Sequence, residues 1–238
     1  MIRMSTPIAR RTLIGAGVAS LIALLSACGD DDGTGGRADG TLPLFGGTVP
    51  PGGPAVDLTP AQETPGRDVV MIGDSITVAS APGLEAAAAD LGITLVIHAE
   101  VGRRITVGSD PVAGTEVVED VLDDGLPDLF VIALGTNDIG KYATEDEYAT
   151  QIREFVGLVP SVAPIAWVDT YLRDRPDDSA LFNAALISTL SVRGNATIAG
   201  WSNIATEDGI LSDGIHPTDD GVAEFTELVR DAIASWLD

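Results

Sequence analysis

A serine, a histidine and an aspartate of this sequence have the types and neighbours that nucleophilic catalysis requires. Ser75 stands in Gly73-Asp74-Ser75-Ile76, whereas Asp213 and His216 stand together in Asp213-Gly214-Ile215-His216-Pro217. A serine hydroxyl becomes a good nucleophile only when a neighbouring base takes its proton. Histidine suits that role, since its ordinary pKa is about 6.5 and a carboxylate on its second ring nitrogen fixes the tautomer. These residues therefore predict a triad of nucleophile, base and carboxylate.

The base of such a triad can be only one of two residues, because the chain contains two histidines, His98 and His216. His98 lies inside an apolar run that predicts a strand, so we expect it to be a core histidine. His216 follows Asp213 by three residues with a glycine between them, and a turn there can bring the carboxylate to the near ring nitrogen. Pro217 disfavours helical geometry at His216, which keeps the histidine in a loop.

An acyl-enzyme also needs hydrogen-bond donors for the oxyanion of its tetrahedral intermediate. Three candidates follow predicted strands: the backbone N–H of Ser75 at a helix N-terminus, the backbone of Gly102 in AEVGRRI, and the side-chain amide of Asn137 in GTND. Asp74 is expected to order the nucleophile turn by hydrogen bonding. Arg103 and Arg104, next to Gly102, are expected to be solvated loop residues.

The elements that must position these residues alternate along the chain as strands and helices. Continuous apolar runs predict five buried strands within residues 68–73, 93–100, 127–135, 164–171 and 195–201. Helices are predicted over residues 75–92 with an interruption near Pro82, and over residues 144–159, 178–192 and 218–237. Buried strands that alternate with helices indicate an α/β fold of three layers, with a parallel sheet covered on both faces. Ligands of such folds bind beyond the carboxyl ends of the strands, where the polar clusters lie.

The three polar clusters, taken together with the glycine after the second strand, resemble the motifs of a known family. GDSI, a glycine after the second strand, GTND and DGIHP occur in the order of the four blocks of the SGNH (GDSL-like) hydrolases. The resemblance covers residues 67–238 and implies a flavodoxin-like sandwich around a five-stranded parallel sheet. It implies Ser75 as nucleophile, Asp213 and His216 as the acid–base pair, and Gly102 and Asn137 as oxyanion donors. The VGRRI and WVDTY segments are similar, more loosely, to SGNH domains that act on acetyl groups of the cell envelope.

The composition limits the partners of the chain. It has 13 basic and 36 acidic residues, and a surface this acidic repels phosphate backbones, so nucleic acid is not an expected partner. The single cysteine, Cys28, allows no intrachain disulfide and no cysteine-rich metal site. No metal or organic cofactor is implied.

The N-terminal region predicts export. Residues 1–27 combine a basic start with a short apolar run that ends in small residues, as in a secretory signal peptide. Leu25-Ser26-Ala27-Cys28 resembles the bacterial lipobox, which implies lipidation of Cys28 and anchoring to a membrane surface. Arg10-Arg11 leaves open export by the twin-arginine or by the general route. Residues 28–66 are rich in Gly, Pro and Asp, and predict a disordered tether.

The expected function is that of a serine esterase in the cell envelope. Its expected substrates are small acyl esters, either acetyl groups on envelope carbohydrate or short-chain lipid esters. Two alternatives stay open at this point. An O-acyltransferase would use the same triad, and a binding lipoprotein of the envelope would use the fold without catalysis. The sequence does not indicate acyl length, membrane or oligomeric state.

Overall fold

The computed structural model describes residues 67–237. The predicted signal peptide (1–27), the lipidation site at Cys28 and the predicted tether (28–66) lie outside the described residues. Within the described part, no helix is long and apolar enough to cross a membrane.

Five parallel strands form one sheet at the centre of residues 67–237. They are β1 (Asp68–Gly73), β2 (Thr94–Ala99), β3 (Leu129–Ala133), β4 (Ile165–Val168) and β5 (Ala196–Ala199). Their order is β2-β1-β3-β4-β5. The chain thus runs from β1 to one neighbour, β2, and crosses to the other, β3, so the order reverses beside β1. This is the flavodoxin-like order, in which ligands bind beyond the carboxyl ends of the strands at the reversal.

Within residues 67–237, six helices connect or follow these strands. They are α1 (Ser75–Leu91), α2 (Gly114–Asp124), α3 (Glu145–Leu158), α4 (Pro176–Arg193), the short α5 (Trp201–Ala205) and α6 (Asp219–Leu237). A single 3-10 turn, Thr136–Asp138, follows β3. Thr144 caps α3 in a capping box with Glu147, as the Thr-x-x-Glu spacing favours. The side chain of Thr218 accepts the N–H of Gly221 in the first turn of α6, as predicted.

Alternate side chains of the central strands divide the core into two layers. Val70 and Ile72 of β1 pack in the same cluster as apolar residues of α2, α3 and α4, whereas Val69 and Met71 pack with α1, α5 and α6. The predicted three-layer α/β/α sandwich with a five-stranded parallel sheet is therefore confirmed.

The predicted interruption at Pro82 is wrong, because α1 continues through this residue. Proline removes one backbone hydrogen bond and costs about 3 kcal/mol inside a helix. Buried side chains on both sides of it, Ile76 before and Leu84 after, pack in the same core layer and hold the helix together. Tertiary packing thus overrides the local penalty.

Two further features differ from the prediction. Helix α2 was not predicted, and it comes after the turns that follow β2. Strand β2 is an edge strand that is not fully buried, and Val96 is 46% exposed. Its His98 is half-buried in a surface groove with Val96, Val121 and Leu126, so the expectation of a core histidine is wrong. Desolvation in this groove lowers the pKa of His98.

Candidate active site

The nucleophile turn is built where β1 meets α1. Asp74 is the N-cap of α1, and its Oδ1 accepts the N–H of Ile76 at 3.0 Å. Ser75 is the first helical residue, so its backbone N–H has no partner within the helix. Gly73 permits this tight turn, because a Cβ there would overlap the side chain of Thr77. The turn presents the partly buried Ser75 hydroxyl at the carboxyl end of the sheet.

The predicted triad is brought together in space. Ser75 Oγ lies 3.1 Å from His216 Nε2, although 141 residues separate the two in the chain. His216 Nδ1 lies 2.8 Å from Asp213 Oδ2. With Asp213 ionised, Nδ1 carries the ring proton and donates a hydrogen bond to the carboxylate. The unprotonated Nε2 is then able to accept the proton of Ser75. This is the geometry that a serine nucleophile and its general base require.

The histidine loop is ordered by its own carboxylate. Asp213 Oδ1 accepts the backbone N–H of Ile215 at 2.9 Å and that of His216 at 2.8 Å, so the carboxylate holds both the imidazole and its backbone. The hydrogen bond from the His216 side chain, followed by these backbone N–H groups, lowers the pKa of Asp213 well below its ordinary value. The carboxylate therefore stays ionised to a lower pH than an ordinary aspartate does.

The loop is also attached to the rest of the domain. Ser212 donates its backbone N–H to the carbonyl of His216 at 2.8 Å, which closes the turn. Arg173 N donates to the carbonyl of Gly214 at 2.9 Å, and its guanidinium donates to the carbonyl of Leu211 at 3.1 Å. The segment after β4 thus supports the loop that carries the base.

The three predicted oxyanion donors lie on neighbouring loops. Asn137 Nδ2 lies 3.4 Å from Oδ2 of Asp74, the residue before Ser75. It also donates a hydrogen bond, at 3.1 Å, to the carbonyl of Arg103, the residue after Gly102. The backbone N–H groups of Ser75 and Gly102 are bonded to no acceptor within residues 67–237. They are available to an oxyanion, whereas Asn137 would exchange its long contact with Asp74 for one.

Gly102 owes its identity to backbone conformation. Its φ is +84°, a region that L-residues with a side chain rarely adopt, and a Cβ built on it would meet nothing within 4 Å. Among the described residues, it is therefore the backbone conformation and not crowding by neighbouring atoms that favours glycine here. The positive φ sets the path of the loop between β2 and α2.

The expectation that Arg103 and Arg104 are solvated is wrong. Arg103 is 5% exposed, and its guanidinium donates to the carbonyls of Gly73 at 3.2 Å and of Val112 at 3.2 Å. Arg104 Nε donates to Oδ1 of the fully buried Asp138 at 2.9 Å. A polar residue pair in a short loop gives no periodic signal of burial. The only available signal was that the two arginines adjoin a predicted site.

Asp74 has an unusual environment for a carboxylate. It is 1% exposed, and burial raises its pKa to about 6, although the N–H of Ile76 and the Thr136 side chain oppose this shift. The folded state therefore binds a proton more readily than the unfolded chain between pH values of about 4 and about 6. Consequently, ionisation of Asp74 costs stability as the pH rises through this window.

Asp74→Asn should remove this cost while keeping a good N-cap. A pKa of about 6 against 3.8 in an unfolded chain corresponds to about 3 kcal/mol. We expect the free energy of unfolding of the variant, relative to the wild type, to rise by about that amount between pH 4 and pH 7. Denaturant titrations at several pH values measure it, and Asp90→Asn, an exposed position on the same helix, is the charge-matched control. Parallel pH profiles of Asp74→Asn and wild type would contradict the assignment.

Within residues 67–237, no group of three or more His, Cys, Asp or Glu side chains is arranged to hold a metal ion.

Solved structures with a similar fold include enzymes that act on esters. TesA has a TM-score of 0.59 and 18% sequence identity, with 71% of this chain and 98% of that chain covered. The C-terminal catalytic domain of Streptococcus pneumoniae peptidoglycan O-acetyltransferase A has a TM-score of 0.53 and 23% sequence identity, and the match covers 72% of this chain and 93% of that domain. A lipase/acylhydrolase from Enterococcus faecalis has a TM-score of 0.58 and 16% sequence identity, and the match covers 71% of this chain and 96% of that chain. No protein-family model and no curated protein sequence matches the chain. At these identities the likeness establishes the fold.

Proposed function

We propose that this chain is a serine hydrolase of the SGNH type that cleaves small acyl esters through an acyl-enzyme on Ser75. The observation that carries the proposal is the continuous hydrogen-bonded chain Ser75–His216–Asp213, with contacts of 3.1 Å and 2.8 Å. The four sequence blocks and the fold that the chain shares with known esterases support the same reaction class.

The reaction follows from the positions of the protons. Ser75 Oγ attacks the ester carbonyl while His216 Nε2 accepts its proton, and Asp213 stabilises the imidazolium. The carbonyl oxygen becomes an anion that accepts hydrogen bonds from the N–H groups of Ser75 and Gly102 and from the Asn137 amide. When the intermediate collapses, His216 returns the proton to the departing alcohol. Water then attacks the acyl group with His216 again as base, and His216 returns the proton to Ser75 Oγ as the acid is released.

The exposure of the triad bears on the substrate. The side chains of His216 and Asp213 are 45% and 56% exposed, so the base is reached from an open surface rather than through a tunnel. Such a site accommodates an ester group that projects from a large molecule. This favours acetyl groups on envelope carbohydrate, with short-chain lipid esters as the other class. The strongly acidic composition argues against nucleic acid as a partner.

The proposed location is the cell envelope. Export by the signal peptide (1–27), lipidation of Cys28 and the tether (28–66) would hold the domain at a membrane surface. The support for this is in the sequence alone, since these residues lie outside the described part. Metabolic labelling with a radioactive fatty acid tests it, because a Cys28→Ala variant should lose both the label and membrane association.

The experiment that tests the activity uses the full-length chain and a series of short-chain nitrophenyl esters. We expect nitrophenol release, with acetyl preferred, and stoichiometric labelling of Ser75 by a fluorophosphonate, located by mass spectrometry. A folded protein that neither hydrolyses these esters nor reacts with the phosphonate would refute the esterase proposal and favour the binding-lipoprotein alternative.

The O-acyltransferase alternative has a specific observation in its favour. The open triad would admit a sugar hydroxyl to the acyl-enzyme as readily as water. Product analysis with an added chitooligosaccharide acceptor separates the two reactions, since acetylated sugar indicates transfer and acetate alone indicates hydrolysis.

A further inference from the structure

The loops that carry two of the oxyanion donors are joined by a buried ion pair. Asp138, which follows Asn137, is fully buried and accepts Arg104 Nε at 2.9 Å and the backbone N–H of Ile105 at 3.1 Å. Asn137 itself donates to the carbonyl of Arg103. Two consecutive residues of the turn after β3 are thus bonded to three consecutive residues of the loop that begins at Gly102.

The adjacent arginine joins the same loop to the nucleophile strand. The Arg103 guanidinium donates to the carbonyl of Gly73, the last residue of β1, and to that of His98 in β2. It also contacts Glu100 at 3.3 Å. Neighbouring arginines therefore connect the Gly102 loop in two directions, towards Ser75 through Arg103 and towards Asn137 through Arg104.

The two sides of the Arg104–Asp138 contact are themselves well supported. Arg104 Nη2 donates to the Tyr142 hydroxyl at 3.2 Å, and its guanidinium carbon lies 5.9 Å from the centre of that ring. Tyr142 packs edge-to-face on the buried Tyr148, which belongs to α3. The guanidinium is thereby held between a carboxylate in the core and an aromatic side chain near the surface.

We propose that the Arg104–Asp138 pair positions the oxyanion hole by fixing the Gly102 loop against the Asn137 turn. The inference rests on the proposed function, because an oxyanion hole matters only if Ser75 forms an acyl-enzyme. The physical reason is that Gly102 follows β2 and Asn137 follows β3, and these two strands are separated by β1 in the sheet, so no strand pairing fixes one loop against the other. Hydrogen bonds to an oxyanion depend steeply on donor placement, so a displacement of about 1 Å reduces the rate by about 100-fold.

The pair is a positioning element rather than a catalytic one, because neither side chain is bonded to Ser75, His216 or Asp213 in the described part of the chain. Burial raises the pKa of Asp138, and the charge of Arg104 opposes that shift. The guanidinium therefore helps to keep the buried carboxylate ionised. Asp138→Asn should loosen the loop contact, as should Arg104→Lys, which keeps the charge and loses the planar fork.

The test compares nitrophenyl acetate with its thionoester, in which sulfur replaces the carbonyl oxygen. Sulfur is a poor hydrogen-bond acceptor, so the wild-type oxyanion hole should favour the oxygen ester strongly. In Asp138→Asn and Arg104→Lys we expect kcat/KM for the oxygen ester to fall by about 10- to 100-fold. The thionoester should slow much less, so that the oxygen-to-sulfur rate ratio falls.

The matched control is Asp169→Asn. Asp169 is a mostly buried carboxylate after β4 that is bonded to Ser202 instead of to the oxyanion loops. This variant removes the charge of a buried carboxylate as Asp138→Asn does, and it should leave the oxygen-to-sulfur ratio at the wild-type value. If Asp138→Asn does not fold, Arg104→Lys alone tests the positioning role. This variant is expected to fold, because the Arg104 side chain is partly exposed and its replacement buries no new group.

The outcomes separate this inference from the proposed function. If both variants slow the two esters by the same factor, or leave both rates unchanged, the positioning role is refuted. If Ser75→Ala retains the wild-type rate, the proposed function fails first. A Ser75-dependent rate whose oxygen-to-sulfur ratio falls in Asp138→Asn and Arg104→Lys, and not in Asp169→Asn, supports both.

Discussion

Ser75→Ala is expected to abolish ester hydrolysis, with kcat reduced by about 10⁵- to 10⁶-fold and the fold unchanged. The hydroxyl oxygen of Ser75 would form the bond to the acyl group. Among the described residues, the base that accepts its proton is His216, whose Nε2 lies 3.1 Å away. Loss of either residue removes the whole covalent route. His216→Ala should therefore be as severe as Ser75→Ala, and the double variant should be no worse than either. Stopped assays with nitrophenyl acetate, over a long incubation, measure the residual rates.

The control for this pair is the other histidine. His98→Ala removes a half-buried imidazole in the groove beside β2, away from the Ser75–His216 contact, and should keep nearly all of the activity. Fluorophosphonate labelling should be lost in Ser75→Ala and retained in His98→Ala. Additive losses in the Ser75→Ala and His216→Ala double variant would contradict the view that the two residues act as one unit.

Asp213→Asn should reduce kcat by about 10⁴-fold at neutral pH. The substitution retains an oxygen for the N–H groups of Ile215 and His216, so the loop can keep its shape. If that oxygen keeps its place, the amide NH₂ group of the asparagine lies opposite His216 Nδ1, where the carboxylate oxygen of Asp213 now lies at 2.8 Å. An Asn N–H there would demand an unprotonated Nδ1, which puts the proton on Nε2 and removes the base that faces Ser75.

Thermal stability distinguishes a tautomer defect from a disordered loop. The pKa of Asp213 is lowered by its bonds to His216 and Ile215, so this carboxylate remains ionised through mildly acidic pH and its protonation does not limit the wild-type rate there. Asp213→Ala, which also removes the two backbone contacts, is the comparison. It should lose Tm as well as activity, whereas Asp213→Asn should lose activity alone. Equal thermal destabilisation of the two variants would indicate that the carboxylate mainly orders the loop.

Several features of the molecule could be predicted from residue types and spacing. Apolar runs of β-branched residues that alternate with helical patterns indicated the parallel sheet, because such strands must be covered on both faces. The polar clusters around Ser75, Asn137 and His216 each followed a predicted strand or preceded a predicted helix, which placed them at one edge of the sheet. The scarcity of histidine restricted the base to His98 or His216.

Other features depend on contacts between distant parts of the chain. Pro82 lies within a continuous helix because Leu84 and Ala88 are buried against the core, which no local pattern around the proline reveals. Strand β2 has the composition of a buried strand and lies at an edge, because strand order is set by the crossover from β2 to β3 and not by the strand's own residues.

The two adjacent arginines show the same division most clearly. The sequence by itself determined the fold class and the set of polar residues at the strand ends, because periodicity and residue type are local properties. Only the tertiary structure decided that Arg103 is buried and Arg104 partly buried, since their partners Gly73 and Asp138 are 30 and 34 residues away. A charged side chain becomes buried when distant groups neutralise it and accept its hydrogen bonds. Those groups come together only when the strands of the sheet have paired.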